Sequence, residues 1–367
     1  MVILCVLVGL LLAFFIAVRL FIRQPRFGRA PSGDRLERIR QSPNYKNGQF
    51  QNLSHTPALA EDTNFFRVLK EFFFNKSKRT RPAGPIPSQK TDLLNLPPGK
   101  DVLVWFGHSS YFMQLDGKKI LVDPVLSGHA SPIKFTTKSF PGSDAYSADE
   151  IPGIDYLFIS HDHYDHLDYE TITKLQPKIK KVITGLGVGE HLERWGYDKN
   201  SIIEKDWNEE ITLDNGFKAY TVPARHFSGR GFKRNSSLWL SFVFQTPTMK
   251  IFIGGDSGYD KHFAAIGRQF GPFDLAILEN GQYDKNWKYI HMMPEETVQA
   301  GKDLRAKKLL PVHWSKFALA AHAWDDPILR VTREAQRKGI SLLLPMIGEA
   351  ILLKENISSV AWWERVK

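Results

Sequence analysis

The chain has 367 residues, 43% of them apolar, with a formal net charge of +10 and a single cysteine. That apolar content excludes a disordered chain, and the lone Cys5 excludes an intramolecular disulfide or a cysteine-based metal cluster, so any metal must be held by His, Asp or Glu. The positive balance favours anionic partners; arginines beside an apolar segment point to an acidic lipid surface, and no nucleic-acid motif is present, so no nucleic-acid partner is expected.

Residues Val2 to Val18 are uncharged and almost wholly apolar, Arg19 interrupts, and Leu20-Phe21-Ile22 extend the run to the length a bilayer span needs. The expectation is a transmembrane anchor over residues 1–23 rather than a cleavable signal peptide, because no basic stretch precedes the run and no small-x-small site follows it. Arg19 can snorkel toward the head groups. Arg23, Arg26, Arg29, Arg35, Arg38 and Arg40 gather on the C-terminal side, so the positive-inside rule puts the rest of the chain on the cytoplasmic side.

Residues 24–100 are rich in Pro, Arg, Asn and Ser and show no periodicity before Glu61, which predicts an extended arm. Within it, Asn64 to Asn75 reads NFFRVLKEFFFN. On a helix, Phe65, Phe66, Leu69, Phe72 and Phe73 form one apolar face, which either packs on the remainder of the protein or lies against lipid. The proline-rich stretch from Ala83 to Pro98 marks the entry to a globular domain over 101–367.

In that domain strand-like segments follow one another: Val102–Phe106, Tyr111–Leu115, Lys119–Val122, Tyr156–Ser160, Lys181–Thr184, Phe217–Val222, Leu238–Gln245, Lys250–Ile253, Leu275–Leu278 and Leu309–Val312. Asp116-Gly117 is a hairpin signal, and Asp168 suits the N-cap of a helix after His166. Helices fit Lys261–Arg268, Pro294–Arg305 and Pro327–Arg337, with Pro294 and Pro327 in first turns. Strands alternating with helices in this way predict an α/β fold of two mixed sheets with helices outside.

The strand beginning at Tyr156 runs into ISHDHYDHLD, which packs His161, His163, Asp165 and His166 into six residues. Imidazole and carboxylate are the ligands that suit zinc and similar divalent ions, and alternating them on a bend lets one segment face two adjacent metals. Three of only twelve histidines fall in this hexapeptide, which argues against a chance polar loop. His226, Asp256 and His313 each follow a strand-like run, where a sheet can hold a ligand firmly.

The HxHxDH string after an apolar strand resembles the signature of the metallo-β-lactamase superfamily. The fuller motif is similar to the branch containing N-acyl phosphatidylethanolamine-hydrolysing phospholipase D. The resemblance continues through Val104-Trp105-Phe106-Gly107-His108, Leu121-Val122-Asp123-Pro124, Gly254-Gly255-Asp256-Ser257-Gly258-Tyr259, Phe270 to Ala276 and Val312-His313-Trp314, over roughly residues 85 to 350. It implies an αββα sandwich. It also implies that His161, His163 and His226 hold one divalent ion, that Asp165, His166 and His313 hold a second, and that Asp256 bridges them, zinc being the expected metal. Two adjacent ions acidify a shared water and clamp the oxygens of the group under attack; in the resembled branch the hydroxide attacks a phosphodiester phosphorus and leaves a phosphatidic acid. His291 stands at a position similar to a substrate-facing one, able to donate to a phosphate or leaving-group oxygen, and Tyr164 is expected to face the pocket. His108 is expected to support a ligand by hydrogen bonding, and His55, His129, His191, His262 and His322 receive no role.

The chain departs from the phospholipases at Leu278-Glu279-Asn280-Gly281-Gln282-Tyr283, where they carry an apolar-Pro-Ile-Gly-Ala-Tyr run, so a carboxylate and an amide enter the expected pocket mouth. The reading is thus a membrane-anchored dinuclear phosphodiesterase acting on N-acyl phosphatidylethanolamine or related glycerophospholipids. The alternatives are a lactonase or other small-molecule hydrolase of the same fold, and a membrane-tethered binding protein with a structural metal site. Seven candidate ligands speak against a closed single-ion site.

Overall fold

The computed structural model describes residues 1–214, 216–355 and 360–366. The side chains of Phe65, Phe72 and Phe73 lie outside the described set, so the expected apolar face can be followed only at its other positions.

Two seven-stranded sheets stack face to face. The first runs, in spatial order, Ala350–Leu352, Val102–Trp105, Tyr111–Leu115, Lys118–Val122, Ile154–Ile159, Ile179–Gly185 and Ile202–Lys205. It is antiparallel up to Lys118–Val122 and parallel beyond. The second runs from Glu210–Thr212 through Lys218–Val222, Ser241–Gln245 and Lys250–Ile253, antiparallel, and then through Leu275–Glu279, Lys308–Val312 and Ser341–Leu342, parallel. At the Asp116-Gly117 hairpin both residues take positive φ, 46° and 80°, a backbone that favours Asp and Gly.

The central parallel strands Leu275–Glu279 and Lys308–Val312 are near-continuous apolar runs because both of their faces are covered. The inner faces meet in a core where Phe158 packs edge-on against Phe242 and Phe244 at 4.9 and 5.2 Å. A second core, with Leu157, Ile159, Leu167 and Ile172, lies on the outer side of the first sheet.

Among the described residues there are eight α-helices: α1 (Val2–Ile22), α2 (Gly33–Arg40), α3 (Phe65–Phe74), α4 (Tyr169–Leu175), α5 (Gly189–Arg194), α6 (His262–Phe270), α7 (Pro294–Asp303) and α8 (Asp326–Lys338). Asp168 caps α4, accepting from Glu170 N at 3.2 Å. α1 has the length and apolarity to cross a membrane, and none of its residues is buried against the protein.

The arm departs from expectation in its first half. α2 forms without an apolar stripe; Ile39 is its one buried residue. Arg35 holds it instead, reaching Glu190 at 2.8 Å, Glu193 at 2.5 Å and Glu204 at 2.6 Å. A short hairpin follows, Tyr45–Lys46 against Gln49–Phe50, with Phe50 fully buried. α3 is capped by Asn64, whose Oδ1 accepts from Arg67 N at 3.0 Å. Its Glu71 accepts from Asn286 Nδ2 at 2.6 Å, while Phe66 and Phe74 are exposed.

Candidate metal centre

The ends of four strands meet at one edge of the sandwich. The loop after Ile154–Ile159 brings His161, His163, Asp165 and His166; His226, Asp256 and His313 arrive just beyond Lys218–Val222, Lys250–Ile253 and Lys308–Val312. All seven come together. His161 Nε2 lies 2.9 Å from His163 Nδ1, which lies 3.3 Å from His226 Nε2. Asp256 Oδ2 stands 3.9 Å from His161 Nε2, 3.7 Å from His226 Nε2 and 3.2 Å from His166 Nε2, and Oδ1 of the same carboxylate is 3.2 Å from His313 Nδ1. Asp165 Oδ2 is 3.6 Å from His166 Nε2. Asp256 therefore stands between a three-histidine group and a group of Asp165, His166 and His313.

The donor chemistry fits metal ions. His166 Nε2 and Asp256 Oδ1 are buried and make no hydrogen bond, an expense a protein rarely carries unless another partner takes those lone pairs. Burial pushes the His161, His226 and His313 imidazoles well below the ordinary histidine range, which keeps them neutral and their lone pairs available. These residues are buried clusters able to hold metal ions.

Surrounding groups fix the rings. His226 Nδ1 donates to Ile290 O at 2.9 Å, which leaves Nε2 as the acceptor. Asp123 meets His166 Nδ1 at 2.8 Å and accepts from Ser160 N and Oγ at 2.8 and 2.6 Å. Ser109 Oγ lies 2.8 Å from His313 Nδ1, and His108 Nε2 lies 2.9 Å from Asp165 Oδ2, the supporting contact expected of His108. His191, which received no role, meets the carboxylate of Asp162 at 3.2 Å; Ser237 Oγ and Gly229 N also donate to it, at 2.8 and 2.7 Å. The motif bend is thus tied from its non-ligand residue.

His291 lines the metal cavity, its ring centroid 5.0 Å from that of His226 and 5.3 Å from that of His313. Its Nδ1 is 2.6 Å from Glu279 Oε2, and Glu279 Oε1 accepts from Met292 N at 2.7 Å. Glu279 is fully enclosed, and burial pushes its carboxyl up to about 7; working against its own burial, the Glu279 charge holds His291 up at about 9. The carboxylate that set this chain apart from the phospholipases is therefore the partner of His291. Tyr164 sits elsewhere than expected. Its hydroxyl donates to Arg230 O at 2.6 Å and its ring lies under the Arg230 guanidinium, lining a small cleft with Arg26 instead of the metal cavity.

The cavity above the cluster has a volume of about 710 Å³, and its far wall comes from the arm: Gln49, Asn52, Thr56, Ala58, Leu59 and Val68. Asn52 grips a ligand-bearing peptide at both ends, donating to His226 O at 2.8 Å and accepting from His226 N at 3.0 Å.

A profile described as "Beta-lactamase superfamily domain" matches residues 118–314. The "Uncharacterized protein Rv0906" of Mycobacterium tuberculosis (strain ATCC 25618 / H37Rv) is 36% identical over 327 residues, 88% of each chain. "Outer membrane protein RomA" of Klebsiella pneumoniae is 67% identical over 103 residues, 28% of this chain and 78% of that protein. "N-acyl-phosphatidylethanolamine-hydrolyzing phospholipase D 1" of Caenorhabditis elegans is 33% identical over 233 residues, 59% of this chain and 64% of that protein, so the match spans under two thirds of the enzyme. Igni18, "a novel metallo hydrolase" from Ignicoccus hospitalis KIN4/I, superposes with a TM-score of 0.52 at 21% identity, over 69% of this chain and 97% of that one, and shares the fold.

Proposed function

The chain belongs to the metallo-β-lactamase superfamily and is a metal-dependent hydrolase, and from that premise we propose that it is a membrane-anchored phosphodiesterase cleaving glycerophospholipids, N-acyl phosphatidylethanolamine among them, to phosphatidic acid. The observation that carries this reading is the cavity. Its floor is the ligand cluster with His291, its arm wall includes Ala58, Leu59 and Val68, and Phe227, Trp287, Ile290 and Leu319 add apolar surface. About 710 Å³ holds a diester head group together with the first part of an acyl chain. A β-lactam or small lactone needs neither that apolar wall nor an anchor.

His161, His163 and His226 would hold one ion, Asp165, His166 and His313 the other, and Asp256 both; histidine and carboxylate ligands suit zinc. Bound divalent ions would supply an acidified water for attack on phosphorus and neutralise the phosphoryl oxygens. The remaining work falls to the chain. Glu279 occupies His291 Nδ1, so Nε2 is the ring's remaining donor, and it hands a proton to the leaving alkoxide as the P–O bond breaks. Arg234, also at the cavity, offers a cation to the anionic diester. The Asn52 clamp keeps the His226 peptide in place while the apolar wall excludes water. In this reading α1 anchors the domain in a bilayer, and the arginines that follow it favour a cavity on the cytoplasmic side, facing an anionic leaflet.

Full-length protein in nanodiscs, offered N-acyl phosphatidylethanolamine, other glycerophospholipids, a lactone and a β-lactam, tests the reading. Chelator-sensitive release of phosphatidic acid is the expected result. Opening of the lactone or β-lactam with every phospholipid left intact would overturn it.

A further inference from the structure

The foot of α1 is clasped by two loops of the hydrolase domain. Arg26 joins them: its Nη1 donates to Pro132 O at 2.9 Å, and its own carbonyl accepts from Arg230 Nε and Nη2 at 3.2 and 2.7 Å. The first loop continues into Ile133-Lys134-Phe135 and the second into Gly231-Phe232-Lys233. Both tips set a phenylalanine beside a lysine, and both phenylalanines stand out from the surface, Phe135 78% and Phe232 84% exposed. Phe232 and Lys233 share a groove of about 200 Å³ with Ile22, Phe27 and Arg29, so the second tip lies across that groove from the last turn of α1.

A helix that enters a bilayer carries the head-group layer to its end, and groups packed around that end lie at the depth where aromatic rings and basic side chains are most favourable. We propose that Phe135 and Phe232 dip into the bilayer that α1 enters, with Lys233 and the exposed Arg19 and Arg23 meeting anionic head groups, so that the domain docks flat on the membrane instead of hanging from a tether. The inference rests on the reading of α1 as a membrane anchor. Charge selects the occupant: Lys233 makes no ion pair or hydrogen bond among the described residues, and basic groups this close to the surface favour acidic lipid. Docking has a consequence for the proposed function. The loop that carries Phe232 also supplies Phe227, Arg234 and Asn235 to the metal cavity, so it forms the partition between the membrane foot and the cavity. A docked tip sets the cavity rim at the head-group layer, where a phospholipid can enter without leaving the bilayer.

The test uses full-length protein in nanodiscs of phosphatidylcholine and phosphatidylglycerol, with one nitroxide label per protein. Cys5, the sole cysteine, is labelled in the native sequence. In a Cys5→Ala background the label is placed at Phe135→Cys, at Phe232→Cys, and at Leu329→Cys, an exposed control on α8. Power saturation should show positions 135 and 232 protected from aqueous nickel several-fold relative to 329, with Cys5, toward the other end of α1, protected as well. Labels at 135 and 232 as accessible as the one at 329, beside a protected Cys5, would overturn docking while leaving the anchor and the hydrolase reading in place. A water-exposed Cys5 would remove the anchor and the docking face together. As a functional readout, Phe232→Ser should lower the rate on vesicle-borne diester several-fold and leave the rate on a short soluble diester unchanged; equal rates on vesicles before and after the change would count against the proposal.

Discussion

The two walls of the metal cavity are built differently. The floor is made of strand ends: the ligands follow strands whose last residues are buried, Phe158-Ile159, Thr221-Val222, Phe252-Ile253 and Pro311-Val312, and their positions are set by the sheet register. The opposite wall is made by the arm, held by polar contacts over long sequence separations: Arg35 to Glu190, Glu193 and Glu204, Asn52 to His226, Glu71 to Asn286, and Tyr289 to Glu61. The first kind of wall depends on apolar burial, which salt and mild acid leave intact. The second adds to the burial of Ile39 and Phe50 a set of charged contacts, which salt screens and acid neutralises. Chemistry and substrate binding should therefore be separable by perturbation.

The largest effect is expected on the floor. Asp256→Ala removes the group between the two ligand sets, and turnover should fall to background while the melting transition of the sandwich is kept; near-normal initial rates would show that Asp256 is no such link. Next comes the donor. His291→Ala should lower kcat by about 10²–10⁴, the range of a positioned general acid, with metal content unchanged. Glu279→Gln sharpens that prediction. Because the Glu279 charge raises His291, the protonated donor is lost only at a higher pH than it would be without that charge, so the alkaline limb of the rate profile should move to lower pH in the variant. A limb that stays in place would separate Glu279 from the donor.

Smaller effects belong to the arm. Arg35→Ala should raise KM up to about tenfold, leave kcat near normal and make residues 24–60 more sensitive to protease, since breaking a hydrogen-bonded tie between the two walls costs about 1 kcal/mol or somewhat more. A fall in kcat with KM unchanged would place the arm in the chemistry. The smallest effect is the acid response of α2. Burial works to raise Glu190, but hydrogen bonding to Arg35 and the charges of Arg29 and Arg35 outweigh it and hold the carboxyl below its usual value. A carboxylate lowered by folding stabilises at pH above its unfolded pKa, about 4.3, and that contribution is lost as pH falls through the folded value. Hydrogen exchange across residues 33–40 should rise in that acid range before exchange in the central strands does; simultaneous opening would make the arm part of the core.

Legibility in the sequence followed the same division. Tyr111–Leu115 and Lys250–Ile253 run to the residues that composition marks, and the ligand positions follow apolar runs, because burial leaves a local pattern. The short strands Ile202–Lys205, Glu210–Thr212, Ser341–Leu342 and Ala350–Leu352 went unread: they are partly exposed or of mixed polarity, and their partners define them. α2 was missed because ion pairs to acids more than 150 residues away hold it, and such pairs leave no period. Glu279 was visible as a departure, but its role required knowing that the loop bearing His291 returns to the end of its strand. Tyr164 was drawn to the pocket by its place in the motif, and Arg230 holds it elsewhere.

The account turns on the buried His/Asp cluster being a metal centre that performs the reaction. Elemental analysis of purified full-length protein, before and after chelator treatment and with activity followed on the same samples, tests this most directly. Close to two divalent ions per chain, lost together with activity and restored together on adding zinc, is the predicted result; a metal-free protein whose hydrolysis is indifferent to chelator would contradict it.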